Sequence, residues 1–181
     1  PRNDIKYIAR LDAGDTCSES RFYKQVGFLN THTDISLLAS WARFQSSENN
    51  KGYDYITKTR HEDILREMHY KCSFIHPSVI FKKEIIDTVG SYPVTFEHAA
   101  DYAYFWKILK SYKGAVLPEK LVQITFLDSN VSSKNYKEQL RSRKNVVREF
   151  ASSFTDQWLG IMILNLKLIL PKRLLQRLKS S

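Results

Sequence analysis

The stretch Tyr7-Ile8-Ala9-Arg10-Leu11-Asp12-Ala13-Gly14-Asp15 decides how this chain is read. A short apolar strand stops at two carboxylates in a glycine-containing turn. In α/β proteins ligands gather beyond the carboxyl ends of the strands. Two acids placed there offer hard oxygens to a divalent cation, and Mg²⁺ is usually held by one or two carboxylates plus substrate phosphates. The pattern points to Asp12 and Asp15 as metal ligands facing a nucleotide-bearing substrate. Turn chemistry gives a plainer account, because Asp and Gly are common turn formers and Asp15 or Thr16 can cap a following helix. On spacing alone the plainer account is the stronger.

Outward from this turn, strand and helix signals alternate. Residues 5–11 read as a strand, 18–31 as an amphipathic helix and 35–45 as a second strand rich in apolar and β-branched residues. Ser46-Ser47-Glu48-Asn49-Asn50-Lys51-Gly52 is a turn joining two antiparallel strands. A short helix is predicted over 62–70, a strand over 79–82, a helix over 83–89 closed by Gly90, and a longer helix over 98–112. Residues 114–117 and 120–126 read as two strands that close the sheet. The polar run Asp128-Ser129-Asn130-Val131-Ser132-Ser133 then marks the clearest boundary, and helix follows it.

Four segments in order resemble the inverting family-2 glycosyltransferases of the GT-A fold. The opening stretch is similar to the family's I-A-R-L-D-A-D-D, and Gln25-Val26-Gly27-Phe28-Leu29 to the end of the helix that follows it. Ile35 to Phe44 resembles the family's next strand. His76-Pro77-Ser78-Val79-Ile80-Phe81-Lys82-Lys83, with Val89-Gly90-Ser91-Tyr92, is similar to H-P-S-V-M-F-R-K and V-G-G-Y. Ala100-Asp101-Tyr102-Ala103-Tyr104-Phe105-Trp106 stands against E-D-Y-D-L-W. The resemblance implies a partial GT-A, Rossmann-like α/β fold: a mixed sheet flanked by helices, with a C-terminal helical tail. Residues 1–127 would be the metal-site and acceptor-side part, and 128–181 a basic helical extension. Family members begin with nucleotide-binding strands and a P-x-Y-N-like loop, so the chain is expected to be the C-terminal portion of a longer enzyme, inactive by itself.

The same resemblance implies roles. Asp12 and Asp15 would hold Mn²⁺ or Mg²⁺ and, through it, the diphosphate of a nucleoside-diphosphate sugar. Asp101 lies in the first turn of its predicted helix, with Phe105, Ile108 and Leu109 along one face. A helix N-terminus favours the ionised acid, against the effect of burial, so by itself Asp101 reads as a dipole-stabilising residue. The family match makes it the base that deprotonates the acceptor hydroxyl, with inversion by in-line attack. His76, before Pro77, is expected to be extended at a strand entry. The match puts it on the acceptor side, with Tyr102. Of the aromatics that could offer sugar-stacking faces, Trp41, Trp106, Tyr102 and Tyr104, Trp106 is assigned with Phe105 to the core, and Tyr102 and Tyr104 are left open. The chain also departs from the family. Gly14, Ala100 and Ala103 stand where the family has acids, and Thr125 and Leu127 where it has Arg and His. A degenerate, non-catalytic GT-A-like module is therefore the alternative.

Composition bounds the remainder. With 181 residues, 43% of them hydrophobic, the chain can build one domain with a real core. Its 28 Lys and Arg exceed 19 Asp and Glu, giving +9, which attracts phosphates, anionic lipid or nucleic acid. The chain has no helix-turn-helix, RRM or zinc-finger signature, so a nucleic-acid-binding domain ranks last and the partners are taken to be a sugar nucleotide and a saccharide or lipid-linked acceptor. Cys17 and Cys72 make no disulfide framework, which fits a reducing, cytoplasmic compartment. The cations among residues 134–148 read as a solvated helix face. Residues 158–170 are apolar nearly all round, too short to span a bilayer, and lead into Lys172, Arg173, Arg177 and Lys179. Two readings stand: an interfacial helix on anionic lipid at the inner face of the cell membrane through 158–179, or a helix packed on another part of the enzyme.

Overall fold

In the computed structural model, residues 4–49, 51–126, 136–151 and 153–170 are described. In chain order these hold β1 (Tyr7–Ala9), β2 (Thr16–Cys17), α1 (Arg21–Thr31), β3 (Ile35–Ser46), β4 (Gly52–Tyr55) and α2 (His61–Glu67). A 3-10 turn (His76–Ser78) precedes β5 (Ile80–Lys82) and α3 (Glu84–Val89); then come α4 (Ala100–Leu109), β6 (Lys113–Phe126), α5 (Tyr136–Phe150) and α6 (Phe154–Ile169). The architecture is α/β, with one mixed sheet in the order β1-β5-β3-β6-β2 and β4 pairing the far half of β3. β3 and β6 run parallel, whereas β1–β5, β3–β5, β3–β4 and β2–β6 are antiparallel.

β3 is buried along most of its length because both faces of the sheet are covered. Leu37 and Ala39 point into a core built with α2, α4, α5 and α6, which includes Met68, Phe74, Phe105, Ile108, Val146 and Leu164. Leu38 points the other way, into a cluster with Ile80, Ala115, Leu117 and Leu29 of α1. The α5–α6 hairpin is thus part of the main core: Leu140, Val146, Val147, Phe150 and Leu164 are each buried there.

Several elements differ from expectation in ways the backbone explains. The two strands expected at 114–117 and 120–126 are one strand whose pairing slips past Pro118 and Glu119, since proline has no N–H to give the ladder. β2 has two residues and exists only through its pairing with Val122 and Gln123. His76 is not extended: it opens the 3-10 turn, where Pro77 fits the first helical positions. Residues 158–170 are not uniformly solvated or uniformly covered; α6 buries one face, at Gly160 and Leu164, and exposes the other.

Candidate active site

The turn after β1 is closed by the Asp15 amide donating to the Asp12 carbonyl at 3.1 Å, and Gly14 takes φ +88°. A bonded four-residue turn with positive φ at its third position is the type II pattern, which explains the glycine. The turn's position is fixed from below by α1. Arg21, fully buried, donates Nη2 to the Arg10 carbonyl at 2.7 Å and to the Val79 carbonyl at 3.5 Å, while its Nε donates to Gln25 Oε1. Gln25 in turn donates to the Ser78 carbonyl. Burial lowers the Arg21 pKa, and the Cys17 side chain partly opposes the shift. The helix therefore pins the end of β1 and the entry to β5 together, and those two segments carry Asp12 and His76.

The two turn acids point to different neighbours. Asp12 accepts from Arg10 Nη2 at 3.1 Å through Oδ1 and lies 3.5 Å from His76 Nδ1 through Oδ2. Asp15 Oδ1 accepts from the Thr125 amide at 3.2 Å, which brings the end of β6 to the turn. Burial raises the Asp15 pKa, the Thr125 bond partly offsets this, and the charge of Asp12 raises it further. Two carboxylates that repel one another in a half-buried turn present the donor set that suits a hard divalent cation. Among the described residues no group of three or more His, Cys, Asp and Glu side chains forms a fuller metal cage.

His76 links the turn to the helical side. Its Nδ1 lies 3.5 Å from Asp12 Oδ2, and its Nε2 is hydrogen-bonded to the Tyr92 hydroxyl at 3.1 Å. Tyr92 stacks on Tyr104 at 4.1 Å and stands edge-on to His76 at 5.8 Å. Its hydroxyl is pushed up to about 12, mainly by burial, with Arg10 opposing and Tyr104, Asp101 and Asp12 adding. Tyr92 therefore feels the charges of both Asp12 and Asp101. Sequence reasoning quoted Tyr92 only as the end of a matched segment and left Arg10 undecided.

Asp101 is the second residue of α4, and its Oδ1 accepts the Tyr102 amide at 2.8 Å. Behind it lies a group that sequence reasoning did not assemble. Burial pushes the Cys72 thiol up to about 12, with the Asp101 charge adding. Arg143 of α5 sits 5.8 Å from the Tyr102 ring. Burial works against the Arg143 charge, but Tyr55, Cys72, Asp101 and Tyr102 outweigh it and hold its pKa up. Arg143 belongs to the cation group expected to be solvated. It turns inward because Leu140, Arg143, Val147 and Phe150 recur at helical spacing on the buried face, and that stripe is visible in the sequence. Tyr102 is 1% exposed and donates its hydroxyl to the Met68 carbonyl, so its ring belongs to the core and offers no open stacking face. Tyr104, Phe105 and Trp106 are buried with it, and Trp41 is half-buried with Nε1 donating to the Thr57 carbonyl. Leu127 lies outside the described residues.

No family model matches the chain. Among curated proteins it is 25% identical over 142 residues to the amylovoran biosynthesis glycosyltransferase AmsE of Erwinia amylovora, covering 78% of this chain and 53% of that one. It is 26% identical over 142 residues to an uncharacterized glycosyltransferase of Haemophilus influenzae, covering 77% and 52%. It is 30% identical over 121 residues to the UDP-Gal:alpha-D-GlcNAc-diphosphoundecaprenol beta-1,3-galactosyltransferase of Escherichia coli, covering 66% and 43%. The chain spans about half the length of the curated relatives it matches, and over that span it is similar to glycosyltransferases.

Proposed function

We propose that this chain is the metal-site and acceptor-side part of an inverting, family-2 glycosyltransferase of the GT-A fold. It would transfer a sugar from a nucleoside-diphosphate donor to a hydroxyl of a saccharide or lipid-linked acceptor at the cytoplasmic face of the membrane. The observation that carries this reading is the contact chain Asp12–His76–Tyr92, which joins the two-acid turn to a tyrosine that also feels the Asp101 charge. The relatives' names support cell-envelope saccharide assembly, since one belongs to amylovoran biosynthesis and another takes a diphosphoundecaprenol-linked acceptor.

In this reading Asp101 takes the proton of the acceptor hydroxyl as that oxygen bonds to the anomeric carbon. The bond from that carbon to the diphosphate oxygen breaks on the opposite face, and the configuration inverts. Asp12 and Asp15 would hold Mg²⁺ or Mn²⁺, which when bound neutralises charge on the leaving diphosphate. Arg10 and His76 orient Asp12 from two sides. Arg143 keeps its positive charge, with the Asp101 charge among those that hold its pKa up.

Asp101→Asn in the complete enzyme tests this. The substitution keeps the shape and the Tyr102 amide bond, so the melting temperature should stay within a few degrees while turnover falls by about 10²–10⁴. Near-normal sugar transfer by the variant returns Asp101 to a helix-dipole role. A wild-type enzyme that transfers no sugar from any nucleotide donor makes the module a degenerate one, as Gly14, Ala100 and Thr125 would suggest.

A further inference from the structure

α6 is seated on one side only. Gly160 meets the backbone of His69, Leu164 is 1% exposed, and Lys167 Nζ donates to the Tyr70 carbonyl at 3.0 Å. On the other side Phe154 is 80% exposed, Trp158 61%, Leu159 44%, Met162 46%, Leu166 54% and Ile169 80%. At about 100° per residue these six fall within an arc of roughly 140° that runs the length of the helix, and only Thr155 and Asn165 share it. That arc carries no charged residue. Contiguous apolar patches of this kind on a soluble protein mark a surface meant to be covered.

We propose that this face of α6 lies on an anionic membrane surface. The charge of the chain selects the occupant. Lys172, Arg173, Arg177 and Lys179 follow the helix within ten residues of its end in the sequence. On the neighbouring α5, Lys137, Arg141 and Arg148 are exposed, and the whole chain carries +9. An apolar strip on a strongly cationic chain suits both layers of an anionic interface: the side chains enter the acyl boundary and the cations meet lipid phosphates. A protein groove or a second copy of the chain would cover the strip without any use for the cations. No helix among the described residues is long and apolar enough to cross a membrane, so α6 would lie along the surface. The inference rests on the exposed face of α6 and uses none of the transfer chemistry of Asp12, Asp15 or Asp101.

Vesicle co-sedimentation of the intact chain is the test, with phosphatidylcholine alone and with phosphatidylcholine mixed with phosphatidylglycerol. Binding should be at least about tenfold tighter to the mixed vesicles and should weaken as salt rises. The double variant Met162→Asp, Leu166→Asp should melt within a few degrees of the native chain and lose binding by about tenfold or more. Trp158→Ser gives the same reading if the double variant melts early. Binding that ignores lipid charge, or that survives these substitutions, overturns the proposal. So does a dimer in buffer that the substitutions dissolve, which would assign the face to a second copy.

Discussion

Asp15 carries an electrostatic cost that a bound cation would remove. Its raised pKa means that the folded chain holds the Asp15 proton more tightly than the unfolded chain does. The ionised group therefore subtracts stability once the pH rises above the ordinary value of 3.8, and the penalty disappears as the pH falls through that range. Asp15→Asn keeps an oxygen for the Thr125 amide and removes the charge. At pH 7 without divalent metal the variant should melt at the same temperature as the native chain or about 1 °C higher, and the gap should close near pH 4. In the complete enzyme, Mn²⁺ with a nucleoside diphosphate should add about 2–3 kcal/mol at a hundredfold excess over Kd, and much less in the variant. Scanning calorimetry with and without metal checks both parts; a variant that melts lower at pH 7 and responds fully to metal refutes them. At this scale the turn acids were legible because a strand, two acids and a glycine sit within nine residues. Arg21 was not. Apolar periodicity would seat Phe22 against the sheet, yet Phe22 is 46% exposed and Arg21 is buried. The reason is three carbonyl and amide oxygens, two of them on Arg10 and Val79, that no local pattern reveals.

The elements of the sheet are legible where hydrophobic runs set them and illegible where only pairing does. β3 and the hairpin to β4 follow from the apolar run and the polar turn after it. β2 depends on a partner more than a hundred residues away in sequence, and the continuity of β6 on one about eighty residues away. α6 shows how a single position decides the seating of an element. Gly160 faces the His69 carbonyl oxygen, and a Cβ built there would lie 2.4 Å from that oxygen and 2.9 Å from the His69 Cβ. In an open helix, replacing Gly by Ala stabilises by about 0.5–1 kcal/mol. Here the sign should reverse, because backbone has to move: Gly160→Ala is expected to cost about 1–3 kcal/mol, the usual price of overpacking. Thermal melting of the variant measures this directly, and a melting temperature at or above that of the native chain shows that α6 can slide without loss.

Across the whole molecule, the boundary at the polar run before α5 divides the sequence more than it divides the core. Leu140, Val146, Val147, Phe150 and Leu164 bury against Phe96, Tyr102 and Trp106 in the same cluster that holds β3. Each such side chain contributes about 1.5–3 kcal/mol when fully buried, so the five together rival the roughly 5–15 kcal/mol by which a typical domain is stable. Arg143 adds a polar tie, its guanidinium lying 5.8 Å from the Tyr102 ring of α4. A chain ending at Phe126 should therefore lose its cooperative thermal transition and expose aromatic surface to a hydrophobic dye, even though every strand of the sheet is retained. Sharp melting of that shorter chain within a few degrees of the native temperature would show instead that the sheet and α4 are self-sufficient. The hairpin would then be an attachment whose main business is the exposed face of α6.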